Sequence, residues 1–148
     1  MALVVGTNSY LSRADAEDIA AGKFGPRVDA WLALIEDNRD ATLMQATADI
    51  DGEIWLGDKT SESQALAFPR DGDADIPEYV KAACVEQAMH LALTAASAER
   101  REELSRAGAR SASIGGITES YAGGQAPRLC ARALSLLDRY VVRGARIV

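Results

Sequence analysis

The feature that most restricts the fold is an apolar stripe of helical spacing that follows Pro77. Its members recur every three or four residues and are Val80, Cys84, Gln87, Leu91 and Ala95. Pro77 suits the first helical position, because the amide that proline lacks would have no partner there. Ala83 and Ala88 lie beside the stripe, and such small side chains let a neighbouring helix approach closely. The sequence therefore predicts a helix against which other helices pack.

Other segments also carry helix signals. Ser12 can cap a helix that runs to about Ala21 and stops at Gly22. Residues 29–51 predict a short helix, a polar break at Asp37 and Asn38, and a longer helix. The glycine-containing stretch 51–70 predicts loop or short extended structure. A last helix is expected over residues 128–142, with two adjacent apolar stripes that predict contact with a second surface.

The spacing of apolar residues changes from helical to alternating over residues 110–121. Ile114 alternates with serines before Gly115-Gly116, and Ile117 and Tyr121 follow on the same face. A glycine pair flanked by alternation predicts a β-hairpin, which helices of the chain or another subunit must cover. The expected fold class is mainly α: a small helical bundle of four to five helices with one β-hairpin.

Composition sets outer limits on this fold. The 148 residues suit a single domain, 1–148. No stretch approaches the roughly 18 apolar residues of a membrane helix, so no membrane partner is expected. The first ten residues lack the features of a signal peptide. Cys84 and Cys130 lie within apolar helical patterns, which favours buried, reduced thiols over a disulfide.

The charge is unevenly distributed along the chain. Residues 1–80 carry 6 basic and 16 acidic side chains, a balance of −10, whereas residues 81–148 carry 10 and 6, a balance of +4. The asymmetry is compatible with stacking against partners of opposite charge, with self-association, or simply with solvated faces.

Three alternating aspartates, Asp71, Asp73 and Asp75, resemble the opening of a calcium loop. That motif next requires a glycine and later a bidentate glutamate, where this chain has Ile76 and Ala82. The sequence therefore favours an acidic loop that faces solvent or a lumen over a metal site.

No signature of an enzyme is present. His90 is the one histidine, which excludes multi-histidine metal sites and argues against a catalytic triad. No phosphate-binding G-x-x-x-x-G-K-[ST] motif and no G-x-S-x-G motif occurs. We therefore expect a protein that is not an enzyme and that needs no cofactor or metal.

Binding of single-stranded DNA is an alternative suggested by the basic C-terminal half. Such binding uses aromatic side chains among cations, and that half offers Tyr121 and Tyr140, both at positions that suit packing. A chain of net charge −6 would also repel phosphate at long range. On these grounds the sequence argues against this alternative.

Several segments resemble those of a protein family of tailed bacteriophages. They are NSYLSRADAEDIA (residues 8–20), ATLMQATADID (41–51), Trp55-x-Gly57, SQALAFPRDG (63–72) with IPEYVKAACVEQA (76–88), and GGITESYAGG (115–124). The family is labelled putative DnaT-like single-stranded DNA-binding protein, and in element order the chain is similar to head–tail connectors. The block over residues 66–77 is the most distinctive.

The two labels imply different functions. A connector (adaptor) is a structural ring under the portal, and double-stranded DNA passes through it as cargo, so an acidic bore is favourable. The abundant acid of residues 1–80 favours this function, with DnaT-like single-stranded DNA binding as the alternative and an unrelated helical complex as a third. The connector resemblance implies a dodecameric homo-oligomer, a portal protein and a tail-side neck, stopper or tail-terminator protein as partners. It places the protein in the virion neck, and in the host cytoplasm during assembly.

The same resemblance implies interaction surfaces, with residues 139–148 as a docking segment. The expected portal or ring interface comprises Arg128, Arg132, Leu136, Arg139, Tyr140, Arg143, Arg146 and Val148. The hairpin residues Ile114, Ile117 and Tyr121 are expected between subunits, and Asp71, Asp73 and Asp75 form the acidic loop.

Overall fold

The computed structural model describes residues 2–106 and 128–141 of the chain. Within them lie five α-helices and one 3-10 helix. The helices are α1 (Arg13–Ala21), α2 (Pro26–Leu32), α3 (Glu36–Asp51), α4 (Glu78–Arg106) and α5 (Ala131–Leu136), and the 3-10 helix is Asp138–Tyr140. The mainly helical class is confirmed. The predicted hairpin, 110–121, lies outside the described residues, and the described ones contain isolated β-bridges but no strand.

Helix α4 is the central element, and α1, α2, α3 and α5 all pack against it. Its buried face includes Val80, Cys84 and Gln87 of the predicted stripe, together with Ala83 and Ala88. Farther along, Leu91 is half-buried and Ala95 is exposed. The small side chains allow the close helix packing that the sequence predicted.

Helix α1 begins and ends as predicted. The Ser12 hydroxyl accepts a hydrogen bond from the amide of Asp15 at 3.1 Å, and the Gly22 amide donates to carbonyls of the last turn. Helix α4 begins one residue later than predicted, because Pro77 precedes the helix and its carbonyl accepts from the amides of Val80 and Lys81.

The break between α2 and α3 was predicted wrongly. It lies at residues 33–35, and Asp37 and Asn38 belong to the first turn of α3. Acidic side chains are favourable there, since Glu36 and Asp37 face the positive end of the helix dipole. Polarity therefore marked a helix start and not an interruption.

The last helix is also shorter than predicted. Residues 128–130 are held in a non-helical segment, since the Cys130 amide donates to the Gln87 side chain at 2.8 Å. At the other end, Tyr140 accepts a hydrogen bond from the Leu56 amide, and Val141 forms an antiparallel bridge with Trp55. Tertiary hydrogen bonds to the backbone thus limit α5 to Ala131–Leu136.

The loop between α3 and α4 is fixed by buried groups. Phe68, which precedes a cis proline, packs its ring against Tyr10, Trp55 and Tyr140, with centroids 4.9–6.0 Å apart. The buried Arg70 guanidinium donates to the backbone carbonyls of residues 55, 56, 57 and 67. This guanidinium therefore ties the two ends of the loop together.

Both cysteines are free. Cys84 is fully buried, and burial raises the pKa of its thiol to about 12. Cys130 is half-buried, and burial likewise raises the pKa of its thiol. Among the described residues, no helix has the length and hydropathy needed to cross a membrane.

Candidate functional site

A group of basic side chains and one exposed aromatic ring come from three separate parts of the fold. We call this group the basic surface. It comprises Lys23, Phe24 and Arg27 at the α1–α2 corner, His90 on α4, and Arg132 on α5.

Two adjoining depressions run across the basic surface. One, of about 430 Å³, is lined in part by Lys23, and the other, of about 250 Å³, by Arg27 and His90. Both depressions are lined by Glu86, Ala131 and Arg132. The fold therefore brings Arg132 beside cations that lie more than a hundred residues earlier in the chain.

Glu86 lies at the centre of the basic surface and is buried. Its carboxylate forms ion pairs with Lys23 at 3.0 Å and with Arg27 at 2.9 Å, and a second Arg27 nitrogen donates at 3.3 Å. Burial alone would raise the pKa of Glu86, but the hydrogen bonds from Arg27 and Lys23 outweigh it and hold that pKa below its usual value. Glu86 is therefore ionised at neutral pH and attaches the α1–α2 corner to α4.

Phe24 is the most exposed of the large apolar side chains that the structure describes, with 90% of its surface accessible. It directly follows Lys23, and its carbonyl accepts a hydrogen bond from Arg27 at 3.3 Å. An aromatic ring exposed to water costs solvation free energy, and it supplies a face on which a planar group can stack.

The position of α5 beside α4 depends on Gln87. This buried amide donates to Asp49 of α3 at 3.0 Å and to the Arg128 carbonyl at 2.9 Å, and its oxygen accepts from the Cys130 amide. The side chain thereby joins α3, α4 and the residues that precede α5. It fixes the place from which Arg132 projects.

A second cavity, of about 730 Å³, has the opposite charge. It is lined by Asp71, Asp73, Asp75, Glu78, Tyr79, Arg139 and Tyr140, among others. The hydroxyls of Tyr79 and Tyr140 lie 2.6 Å apart, and the Arg139 guanidinium lies over the Tyr79 ring at 4.4 Å. Burial and the hydrogen bond between the hydroxyls of Tyr140 and Tyr79 raise the pKa of Tyr140 to about 12.

The three aspartates of the loop are all exposed, and one of them has a structural role. Asp71 adopts a left-handed conformation (φ 56°), and its carboxylate accepts a hydrogen bond from the Asp58 amide at 3.1 Å. Among the described residues, no cluster of three or more histidine, cysteine, aspartate or glutamate side chains could hold a metal ion.

The residues predicted to form one interface are divided between two regions. Arg132 and Leu136 line the basic surface, whereas Arg139 and Tyr140 line the acidic cavity. Arg128 is exposed on a different part of the surface, beside Gly52. The others lie outside the described residues, and they are Arg143, Arg146, Val148 and the hairpin residues Ile114, Ile117 and Tyr121.

The N-terminal part of the basic surface was not predicted from the sequence. Aromatic side chains were considered only in the basic half of the chain, whereas Phe24 lies in the acidic half. The segment from Lys23 to Arg27 could have indicated this site, because Phe24 is an aromatic residue between two cationic residues in the sequence.

The comparisons with known proteins are consistent with one family. The family model described as "Putative DnaT-like ssDNA binding protein" matches residues 2–147. No curated protein and no solved structure matches the chain significantly.

The match to the family model agrees with the alternative function and not with the head–tail connector, so the connector interpretation is wrong. It was based on the abundant acid of residues 1–80 and on the lack of a recognisable DNA-binding surface in the sequence, and neither took account of how the fold groups Lys23, Arg27 and Arg132. Since the match spans almost every residue, the chain belongs to the family of putative DnaT-like ssDNA binding proteins.

Proposed function

We propose that the protein binds single-stranded DNA through the basic surface. The observation that carries the proposal is the exposed ring of Phe24, which lies between Lys23 and Arg27 in the sequence, together with the depressions that Lys23, Arg27 and Arg132 line. Proteins bind single strands by combining cations along the backbone with aromatic side chains on which bases stack. The family description supports the same function.

The net charge of −6 does not oppose such binding at physiological salt. Exposed charges are largely screened beyond about 8 Å at 0.15 M ionic strength. The acidic loop at residues 71–75 lines a separate cavity, so its charges act on a bound strand only if they lie within that distance. The charged groups that a strand in the depressions contacts directly are Lys23, Arg27, Glu86 and Arg132.

Glu86 limits how strongly the cations can act. Lys23 and Arg27 share its negative charge, so Lys23, Arg27 and Arg132 together with Glu86 carry a net charge of +2. Each phosphate neutralised on a single strand contributes about 0.7 to the slope of log Kd against log salt. Two to three such contacts give a slope of about 1.4–2, which is modest for a nucleic-acid-binding protein.

The test measures the fluorescence anisotropy of a labelled single strand of about 15 nucleotides, a length in the range that one binding fold covers. We expect saturable binding that a single-stranded competitor displaces better than a duplex does. Phe24→Ala should weaken binding about tenfold, because one base loses its stacking partner at about 1–3 kcal/mol. Arg132→Gln should lower the salt slope by about 0.7.

Two control variants separate the basic surface from general effects. Ile54→Ala removes an apolar side chain that is 82% exposed, and Lys59→Gln removes an exposed positive charge in the α3–α4 loop. Both should bind like the wild type. No binding at low salt, or equal losses in the controls and in the surface variants, would refute the proposal.

A further inference from the structure

The smaller depression on the basic surface is lined by planar, apolar and charged side chains. Its volume is about 250 Å³, which is below the range of about 300–1,000 Å³ that drug-sized ligands occupy. Its walls are formed by Arg27, Glu86, His90, Leu93, Cys130, Ala131 and Arg132. The cavity is thus small, partly apolar and bordered by charged groups.

The side chains around this pocket suit a flat aromatic ligand. Unstacked bases are held in proteins by stacking on aromatic rings and on the planes of arginine guanidinium groups. Arg27, His90 and Arg132 supply three planar side chains from three different helices. Leu93 and Ala131 add apolar contacts, which favour burying a ring over a phosphate.

The acceptor in the pocket is Glu86, and its hydrogen bonds are not saturated. A carboxylate offers about four acceptor positions. Within the described chain, Lys23 and one Arg27 nitrogen donate to Oε1, and a second Arg27 nitrogen donates to Oε2. Oε2 accepts one hydrogen bond fewer than Oε1, on a side chain that is 3% exposed and lines the pocket. It has the acceptor capacity for an amino group that enters the pocket.

We infer that this pocket binds one unstacked base of the DNA strand and selects a base with an exocyclic amino group. A carboxylate accepts from the N4 amino group of cytosine, whereas the O4 oxygen of thymine or uracil would face it as a second acceptor. The pocket therefore prefers cytosine to uracil. This inference rests on the proposed function, because a bound strand must bring the base to the pocket.

The test compares single strands of deoxycytidine and of deoxyuridine, of equal length, near neutral pH. Uracil lacks the methyl group of thymine, so the two strands differ at the atoms that Glu86 would read. We expect the full-length protein to bind the cytosine strand about fivefold more tightly or better, since one specific base contact discriminates by about that much. Glu86→Gln, whose amide can donate as well as accept, should remove most of this preference.

A second variant guards against a folding defect in Glu86→Gln. Ala131→Phe fills the pocket from an exposed position and changes no charge, and Ala48→Phe at an exposed position of α3 is its control. Ala131→Phe should abolish the base preference. Ala48→Phe should leave the base preference unchanged.

The outcomes distinguish the pocket from the function. Equal affinity for the two strands, or tighter binding of uracil, would refute the base pocket while single-stranded DNA binding stands. A preference for cytosine that survives in Ala131→Phe would also refute it. If neither strand binds, the proposed function itself fails.

Discussion

Replacement of Gln87 by leucine tests whether a buried amide holds the bundle and the basic surface together. Leucine has a similar volume but removes three hydrogen bonds of 2.8–3.0 Å at a fully buried position. Each such bond contributes about 0.5–1.5 kcal/mol net, and the atoms that lose this partner are one carboxylate oxygen of Asp49, the Arg128 carbonyl oxygen and the Cys130 amide. The apolar side chain returns part of this loss, so we expect Gln87→Leu to lower the free energy of unfolding by about 2–3 kcal/mol.

The measurement is urea denaturation followed by circular dichroism, with a thermal melt in parallel. A loss of that size should lower Tm by about 5–10 °C for a chain of this length. The matched control is Gln45→Leu, because Gln45 is exposed and donates to the same Asp49 carboxylate at 3.0 Å. We expect the control to change the stability by less than about 0.5 kcal/mol.

Gln87→Leu should also weaken DNA binding, because α5 loses the hydrogen bonds that place Arg132 beside α4. An unchanged urea midpoint, or equal losses in Gln87→Leu and Gln45→Leu, would contradict the role given to the buried amide.

Three further predictions concern other parts of the fold. Burial raises the pKa of Asp51, so ionisation of this group lowers the stability of the wild type as the pH rises through the folded pKa. Thermal melts at about pH 4 and about pH 7 should therefore show that the Tm of Asp51→Asn increases relative to that of the wild type at the higher pH. The opposite trend would contradict this prediction. Gly57→Ala should lower Tm, because Gly57 has φ +82° and an added Cβ would overlap the Asp71 carboxylate. An unchanged Tm would contradict this requirement for glycine at position 57. Leu137→Ala should cost about 2–5 kcal/mol in urea denaturation, whereas Leu136→Ala should cost far less, since the first side chain is fully buried and the second is 37% exposed.

The sequence by itself determined the features that depend on neighbouring residues. The start of α1 at Ser12 and its end at Gly22 follow from local hydrogen bonds, which those residue types make wherever the helix lies. The buried stripe from Val80 to Gln87 follows from helical periodicity in the same way. The exposure of Asp71, Asp73 and Asp75 could also be predicted, because unpaired carboxylates are costly to bury.

Tertiary structure decided where α5 begins and ends, and which charges lie together. The sequence of residues 128–142 permits a longer helix, but Gln87 and Leu56 bind its backbone at the two ends. The acidic side chains of residues 1–80 favoured the wrong function for a similar reason. Screening makes binding depend on the charges within about 8 Å, and chain order does not give those distances. Only the packing of α1, α2 and α5 on α4 places Arg132 beside Arg27 and Glu86, from positions more than forty residues apart.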